Sequence, residues 1–335
     1  MSAQQIGYEE GRRRQGAALR ATVDRVGSSS ASLEGAKEVA LIGIGASYAA
    51  LATPLFVLRS AGIKAWRSDC SDLPVFPAEA PESVVAVSQG GRSVETHDVV
   101  TRFTEAGAKT LAITNAEESP LAEVAAQALT LGGEADSRVS TVGFFTTYTA
   151  LAMLAERAAG VQARRDWADL PAVIDAALGA AMSTLRAFAV EQLETGAVDV
   201  VAEASLLTAA EASALLFREG PLVPSTSYGT RGYLHGPMDV AGHGTAHLVM
   251  GGARERALVE QLEENTGPTL FLAEAECLRE GHQYQVVLPG GLTQGQRALV
   301  ALALLQQLVA ETAVVRGNPV DDSVFVRQDT KLPVE

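Results

Sequence analysis

The chain has 335 residues, a net charge of −14, 47% apolar residues and 5% aromatics. That length and apolar content suit two ordinary domains with substantial cores. The acidic balance excludes a general nucleic-acid binder, which needs a basic face. The two cysteines, Cys70 and Cys277, lie too far apart in sequence for a disulfide framework and suit a reducing, cytoplasmic compartment. The N-terminus, MSAQQIGYEEGRRRQG, has no apolar core of the kind a secretion signal needs. No apolar run reads as a membrane span; Thr141–Ala155 is interrupted by threonines and a tyrosine. Arg12-Arg13-Arg14 reads as a solvated helix face or a subunit contact.

The first helix runs from Gly7 to Val26, with Leu19, Val23 and Val26 at helical spacing, and Ser28-Ser29-Ser30 follows as a linker. Glu38–Ile44 is a strand. Gly45-Ala46-Ser47 is a short loop, and a helix runs from Tyr48 to about Ala61. A short strand at Ile63–Trp66 and a polar turn at Asp69–Leu73 come next. The apolar, β-branched run Val84-Val85-Ala86-Val87 is a buried strand that breaks at Ser88-Gln89-Gly90-Gly91-Arg92-Ser93. Helical spacing resumes through Val99, Val100 and Phe103. Two glycines there let the backbone turn and approach a ligand, and a helix start supplies free N–H groups, so the loop suits an anion such as phosphate. Lys109–Thr114 and Ala128–Gly132 are further strands, Glu134–Thr141 is a polar loop, and Phe144 to Ala159 is a long helix.

Asp166–Gln192 reads as a helical connector that can break at Gly179. A second block repeats the alternation, with strands at Val198–Ala202, Thr245–Met250, Thr269–Ala273 and Gln283–Leu288. Its helices are Thr208–Arg218, Ala253–Glu264 and Gln296–Arg316. The two halves read as variants of one fold. Alternating strands and helices give α/β domains with a parallel sheet covered on both faces, which bind ligands at the carboxyl ends of the strands. Ser47, Ser88, Ser93, Ser140 and Thr141 bring hydroxyls to that edge in the first half. His243 and His247 have i, i+4 spacing, but the second enters a strand and no acidic third ligand is placed. No metal site is expected there, and no cofactor anywhere.

Four segments resemble the double sugar-isomerase (SIS) domain family, near the isomerase half of glucosamine-6-phosphate synthase. Gly45-Ala46-Ser47-Tyr48 resembles its Gly-Thr-Ser-Tyr loop, and Ser88–Ser93 its Ser-Gln-Ser-Gly-Glu-Thr phosphate loop. Arg231-Gly232-Tyr233-Leu234-His235-Gly236-Pro237 resembles Gly-Glu-Leu-Lys-His-Gly-Pro. Lys331-Leu332-Pro333-Val334-Glu335 resembles the family's C-terminal end. The family's glutamate sixteen positions before the histidine falls on Glu219 (235 − 16 = 219). The chain departs from the pattern at Gly90 for Ser, Arg92 for Glu, Ser93 for Thr, Gly232 for Glu and Leu234 for Lys.

The resemblance implies two tandem SIS domains, each a parallel sheet flanked by helices in the flavodoxin-like, doubly wound manner. The expected divisions are an arm at 1–34, a first domain at 35–165, a connector at 166–192, a second domain at 193–317 and a tail at 318–335. It implies substrate contacts from Gly45, Ala46, Ser47, Ser88, Gln89, Gly90, Ser93, Ser140 and Thr141. It makes His235 the ring-opening acid/base, Glu219 the base for the C1–C2 proton, and Lys331 the electrophilic partner. The chain starts Met1-Ser2-Ala3, without the family's glutaminase domain. The implied reaction is therefore aminosugar-phosphate isomerisation with release of ammonia. The partner is a small sugar phosphate, with neither nucleic acid nor membrane. A homodimer is expected, because in this family the residue matching His235 reaches the neighbouring subunit's site. A fructosamine-phosphate deglycase, a simple phosphosugar isomerase and a non-catalytic sugar-phosphate-binding regulator are the other readings.

Overall fold

The computed structural model describes residues 5–72, 80–278, 280–322, 325 and 330–333. Leu73 of the expected polar turn and the closing Val334-Glu335 lie outside the described residues. The chain divides into two compact units, Met1–Ala163 with Ser323–Glu335, and Arg164–Asp322.

The first unit holds β1 (Glu38–Gly43), β2 (Lys64–Asp69), β3 (Ser83–Val87), β4 (Lys109–Thr114) and β5 (Gln127–Thr130). All are parallel, in the order β2-β1-β3-β4-β5. Val39, Leu41, Ile42, Val84, Val85, Val87 and Ile113 have no exposed surface. Such runs lack the in–out alternation of a half-exposed strand because helices cover both faces. Its helices are α1 (Tyr8–Ser28), α2 (Ala46–Ala49), α3 (Ala52–Ser60), α4 (Val94–Glu105), α5 (Pro120–Val124) and α6 (Val142–Ala158). On one face Val99, Val100 and Phe103 of α4 pack with Val84, Ala112 and Leu121. Each of the valines, the leucine and the phenylalanine contributes about 1.5–3 kcal/mol by leaving water. The helix expected over Tyr48–Ala61 is two pieces. Pro54, in the first turn of α3, has no N–H to return to the preceding turn, so the ladder is interrupted.

The second unit holds β6 (Ala197–Ala202), β7 (Ser225–Gly229), β8 (Thr245–Met250), β9 (Thr269–Ala273) and β10 (Tyr284–Val287). All are parallel, in the order β10-β9-β8-β6-β7. Numbered within its own unit, each sheet runs 2-1-3-4-5 from one edge, so the two share one topology. The helices are α7 (Leu170–Glu191), α8 (Leu207–Glu219), α9 (Thr230–Tyr233), α10 (Ala253–Asn265) and α11 (Gln294–Arg316). β7, with sequence STSYG, escapes a hydrophobicity reading because it is a polar edge strand held by its ladder to β6. α7 passes through Gly179 unbroken; that glycine is exposed, with open space where a Cβ would sit.

Two helices correct the reading that no segment is long and apolar enough for a membrane. The stretches Trp167–Glu194 and Gln294–Arg316 both qualify by length and composition. Within the fold, 78% of the qualifying α11 window is buried, as in a core helix of a globular protein. The exposed residues of α7 include Ala172, Ala176, Gly179, Ala180 and Ala187, so small side chains rather than large apolar ones supply much of that face.

Candidate functional site

In the first sheet the crossover leaving β1 runs to β2 and the one leaving β3 runs the opposite way to β4, which opens a crevice at the carboxyl ends of β1 and β3. The loop after β1 turns at Gly45, with φ of 59°, a conformation that suits glycine. Gly43 is equally constrained, because a Cβ there would lie 2.9 Å from the Ser47 backbone carbon. These two glycines bring Ser47 back over the strand end, half-buried. The Arg67 guanidinium, from neighbouring β2, stacks 4.3 Å from the Tyr48 ring centroid and steadies the loop.

The loop after β3 is fixed from several sides. Asn115 N–H donates to the Gln89 carbonyl at 2.9 Å, and Gly91 N–H donates to the Ser88 carbonyl at 3.0 Å. Gly91 has φ of 60°, and a Cβ on it would lie 2.2 Å from Ser119 Oγ, so only glycine fits. Gly90, by contrast, faces open space. Ser93 stands at the N-cap of α4, but its side chain makes no capping bond. Its Oγ instead accepts from Lys331 Nζ at 3.0 Å and, weakly, from Ser88 Oγ at 3.5 Å. In both contacts Ser93 Oγ is the acceptor, so neither uses the Ser93 proton. The first-turn N–H groups of α4 lack intrahelical partners by construction and carry the positive end of the helix dipole.

Lys331 is held there by backbone as well as side chain. Ser93 and Lys331 form an antiparallel bridge, and Leu332 N–H donates to the Arg92 carbonyl at 2.8 Å. Arg92 Nε donates to the Leu332 carbonyl at 3.1 Å. The tail is thus stitched to the anion loop by reciprocal bonds, and Arg92, where the family pattern has glutamate, makes one of them.

The 136–141 segment lies alongside. Gly143, near the start of α6, admits Gln89 and Asp136; a Cβ there would lie 2.3 Å from Gln89 Cγ and 2.5 Å from Asp136 Oδ2. The Asp136 carboxylate accepts from Ser137 N, Thr141 N and Thr141 Oγ1, each at 2.9 Å, and from Ser140 Oγ at 2.7 Å. Ser140 Oγ also accepts from Phe144 N–H at 3.1 Å. Thr141 has no exposed surface. The hydroxyls of Ser140 and Thr141 therefore work inside the fold, shaping the start of α6. Asp136, absent from the sequence reading, organises them; an aspartate ahead of a serine- and threonine-rich helix start is the local signal that could have found it.

The second unit carries Glu219 and His235. Glu219 is the last residue of α8, half-buried. The chain turns tightly after it. A Cβ on Gly220 would press within 3.1–3.3 Å of the Leu216 carbonyl, Val309 and Val320, and Leu222 adopts φ of 57°. A carboxylate at a helix C-terminus opposes the dipole, and a left-handed leucine costs on the order of 1–3 kcal/mol; such costs gather at functional sites. His235 is exposed just beyond α9, with its N–H donating to the Gly232 carbonyl at 3.1 Å. Gly236 follows at φ of 133°. His247 lies in β8 with no exposed surface, and desolvation holds its ring down to about 4, so it is neutral at neutral pH.

Residues 69–159 match the SIS domain. The fold, two parallel five-stranded sheets flanked by helices, is the SIS fold. The C-terminal domain of glucosamine-fructose-6-phosphate aminotransferase from Francisella tularensis superposes with a TM-score of 0.81 at 15% identity, over 96% of this chain and 99% of that one. Glucosamine-6-phosphate deaminase from Thermotoga maritima gives 0.78 at 19% identity, over 97% and 99%. Tagatose-6-phosphate ketose/aldose isomerase from Escherichia coli gives 0.77 at 18%, over 96% of each. At these identities the likeness is one of fold. No curated protein matches the sequence.

Proposed function

We propose that this chain is a cytoplasmic phosphosugar isomerase of the aminosugar-deaminating type, with both units acting as SIS domains. The observation that carries the reading is the Lys331 ammonium 3.0 Å from Ser93 Oγ on the glycine-rich loop. A lysine near a chain end is ordinarily frayed and solvated. Here it joins Ser88, Ser93, Gln89, Gly90 and the α4 N-terminus, a group suited to an anionic sugar. Gly45, Ala46 and Ser47 border the same crevice. Ser140 and Thr141 enter the reading as shapers of its wall through Asp136. A local site is required because a net charge of −14 opposes anions at long range.

In the proposed reaction His235 moves the proton between the anomeric hydroxyl and the ring oxygen as the sugar opens. Glu219 removes the C2 proton of the open aminoaldose and returns one to C1, passing through the enolamine. The resulting C2 imine takes up water and expels ammonia, leaving the ketose phosphate. Lys331 stabilises the oxyanion that develops on the C1 oxygen. The neighbouring folds include proteins named for a glucosamine-6-phosphate deaminase and a ketose/aldose isomerase, which agrees with this class of chemistry.

The test is ammonia release from glucosamine 6-phosphate, galactosamine 6-phosphate and unphosphorylated glucosamine, with isomerisation followed in parallel. Ammonia from a phosphorylated sugar alone is the expected result. Isomerisation without ammonia would replace deaminase with simple isomerase. Turnover of fructosamine phosphates alone would make the chain a deglycase, and binding without turnover would make it a regulator. A homodimer is expected, and sedimentation as a monomer with full activity would overturn that.

A further inference from the structure

We propose that Tyr233 is a positioning residue for His235, acting through a buried chain of polar groups fastened to two adjacent interior strands of the second sheet. α9 has only 4 residues, a single turn, and a turn of helix has little stability of its own. Arg231, Gly232, Leu234, His235 and Gly236 around it are all exposed. Its inward residues are Thr230 and Tyr233, and Tyr233 has no exposed surface. The Tyr233 hydroxyl donates to Asp199 Oδ2 at 3.1 Å and lies 2.8 Å from His247 Nε2. Asp199 and His247 are direct register partners on β6 and β8. Beyond them, Thr266 Oγ1 is 3.3 Å from His247 Nδ1, and the Tyr228 ring lies 5.1 Å from that of Tyr233.

This arrangement exceeds what packing requires. Val201, Val249, Leu258 and Phe271 share a buried cluster with Tyr233, and apolar side chains at positions 199, 233 and 247 together would fill the same face without burying an acid and an imidazole. The segment this stretch resembles carries leucine at that place. What the polar chain adds is direction: each hydrogen bond fixes the phenol along its length and so fixes the turn that ends two residues later at His235. Asp199 and His247 sit on adjacent interior strands, firmer support than a loop. Burial favours the uncharged forms of both. At neutral pH the imidazole is therefore neutral and, with the phenol proton given to Asp199, its Nε2–H donates to the Tyr233 oxygen.

The inference rests on the reading that His235 takes part in the chemistry, and the experiment separates the two. Tyr233→Phe, His235→Gln and the double variant are compared for kcat and KM on the phosphosugar that is turned over, with thermal unfolding as the check on folding. His235→Gln should lower kcat by about 10²-fold or more. Tyr233→Phe should lower kcat by about 10-fold with KM within twofold, and should add nothing in the His235→Gln background. Equal losses in both backgrounds, or an unchanged kcat in Tyr233→Phe beside a crippled His235→Gln, would overturn the positioning role alone. An unchanged kcat in His235→Gln would remove the role of His235 and the inference with it. Asp199→Asn, which keeps the volume, should show the same dependence on His235 if Tyr233→Phe fails to fold. Independently of turnover, the imidazole NMR signal of His235 should shift toward its unfolded position in Tyr233→Phe; an unmoved signal would count against the anchor.

Discussion

The two sheets share one strand order, yet their switch-point crevices are finished in opposite ways. In the first unit, α4 begins at Ser93 without a side-chain cap, and the crevice gathers hydroxyls, glycines and Lys331. In the second, the corresponding helix α10 is stoppered from within. The Glu255 carboxylate, almost fully buried, accepts the Gly252 N–H at 2.9 Å. The loop after β6 supplies Glu203 and Ser205, and the Arg297 guanidinium ties Glu203 to Glu274 while donating to Ser205 Oγ at 2.7 Å. One topology thus yields a crevice lined by hydroxyls, glycines and a lysine, and a crevice where Arg297 and Glu255 tie the local charges to neighbouring groups. Topology sets where a ligand can bind; the residue at the helix start and the local charge balance decide whether one does.

If the first unit reads the anionic sugar and the second supplies proton transfer, substitutions should separate binding from turnover. The largest effect belongs to Glu219→Gln, with kcat falling about 10³–10⁴-fold while the Kd for the sugar phosphate moves less than threefold by calorimetry. Replacing both Ser88 and Ser93 with alanine should do the reverse, raising KM about 10-fold or more through lost hydroxyl contacts. A loss of binding in Glu219→Gln would erase the division of labour.

The next effect is on stability and belongs to the second unit. His247 titrates near 4 in the fold against an ordinary value of 6.5. Between these values the unfolded chain binds the proton and the folded one does not, so stability falls as pH drops from about 6.5 toward 4. This group contributes at most about 3 kcal/mol to that loss. Asp199, raised by burial, acts with the opposite sign above its ordinary 3.8, because the folded state then binds the proton more readily. Denaturant midpoints across that range should show a slope that His247→Gln flattens and Asp199→Asn steepens. An unchanged slope in His247→Gln would remove the assignment.

Arg297→Met should cost about 1–2 kcal/mol by leaving Glu203 and Glu274 uncompensated, the figure being reduced for their partial exposure. It should leave kcat and KM unchanged; a change in KM would mean that the second crevice also meets substrate. The smallest effect is expected at Gly90, where added atoms meet open space. Gly90→Ser should shift stability by less than about 0.5 kcal/mol and improve the affinity for phosphate a few-fold by restoring a hydroxyl. Next to it, Gly91→Ala should cost several times more, since it combines positive φ with a clash against Ser119.

Most of the fold could be read from the chain, because strands buried on both faces are mostly apolar and β-branched, even where Asp199 and His247 interrupt two of them. Val84–Val87, Lys109–Thr114, Val198–Ala202 and Thr245–Met250 announce themselves in that way. So do the glycine-rich loops, whose sharp turns only particular residues permit. β7 and α9 did not, since a polar edge strand and a single helical turn are held by their neighbours rather than by a pattern of their own. The side chain of Ser93 could have capped its helix; only the arrival of Lys331, 238 positions along the chain, gave it another partner. Ser140 and Thr141 carry hydroxyls at the expected edge, but Asp136 turns them inward. The pairing of Asp199 with Tyr233 and His247 joins three separate elements. The sequence by itself determined which segments leave water and where the backbone can turn, because burial and φ are local demands on residue type. The tertiary structure decided which polar groups are spent on one another and which remain for a ligand, because that depends on partners brought together only when the chain closes.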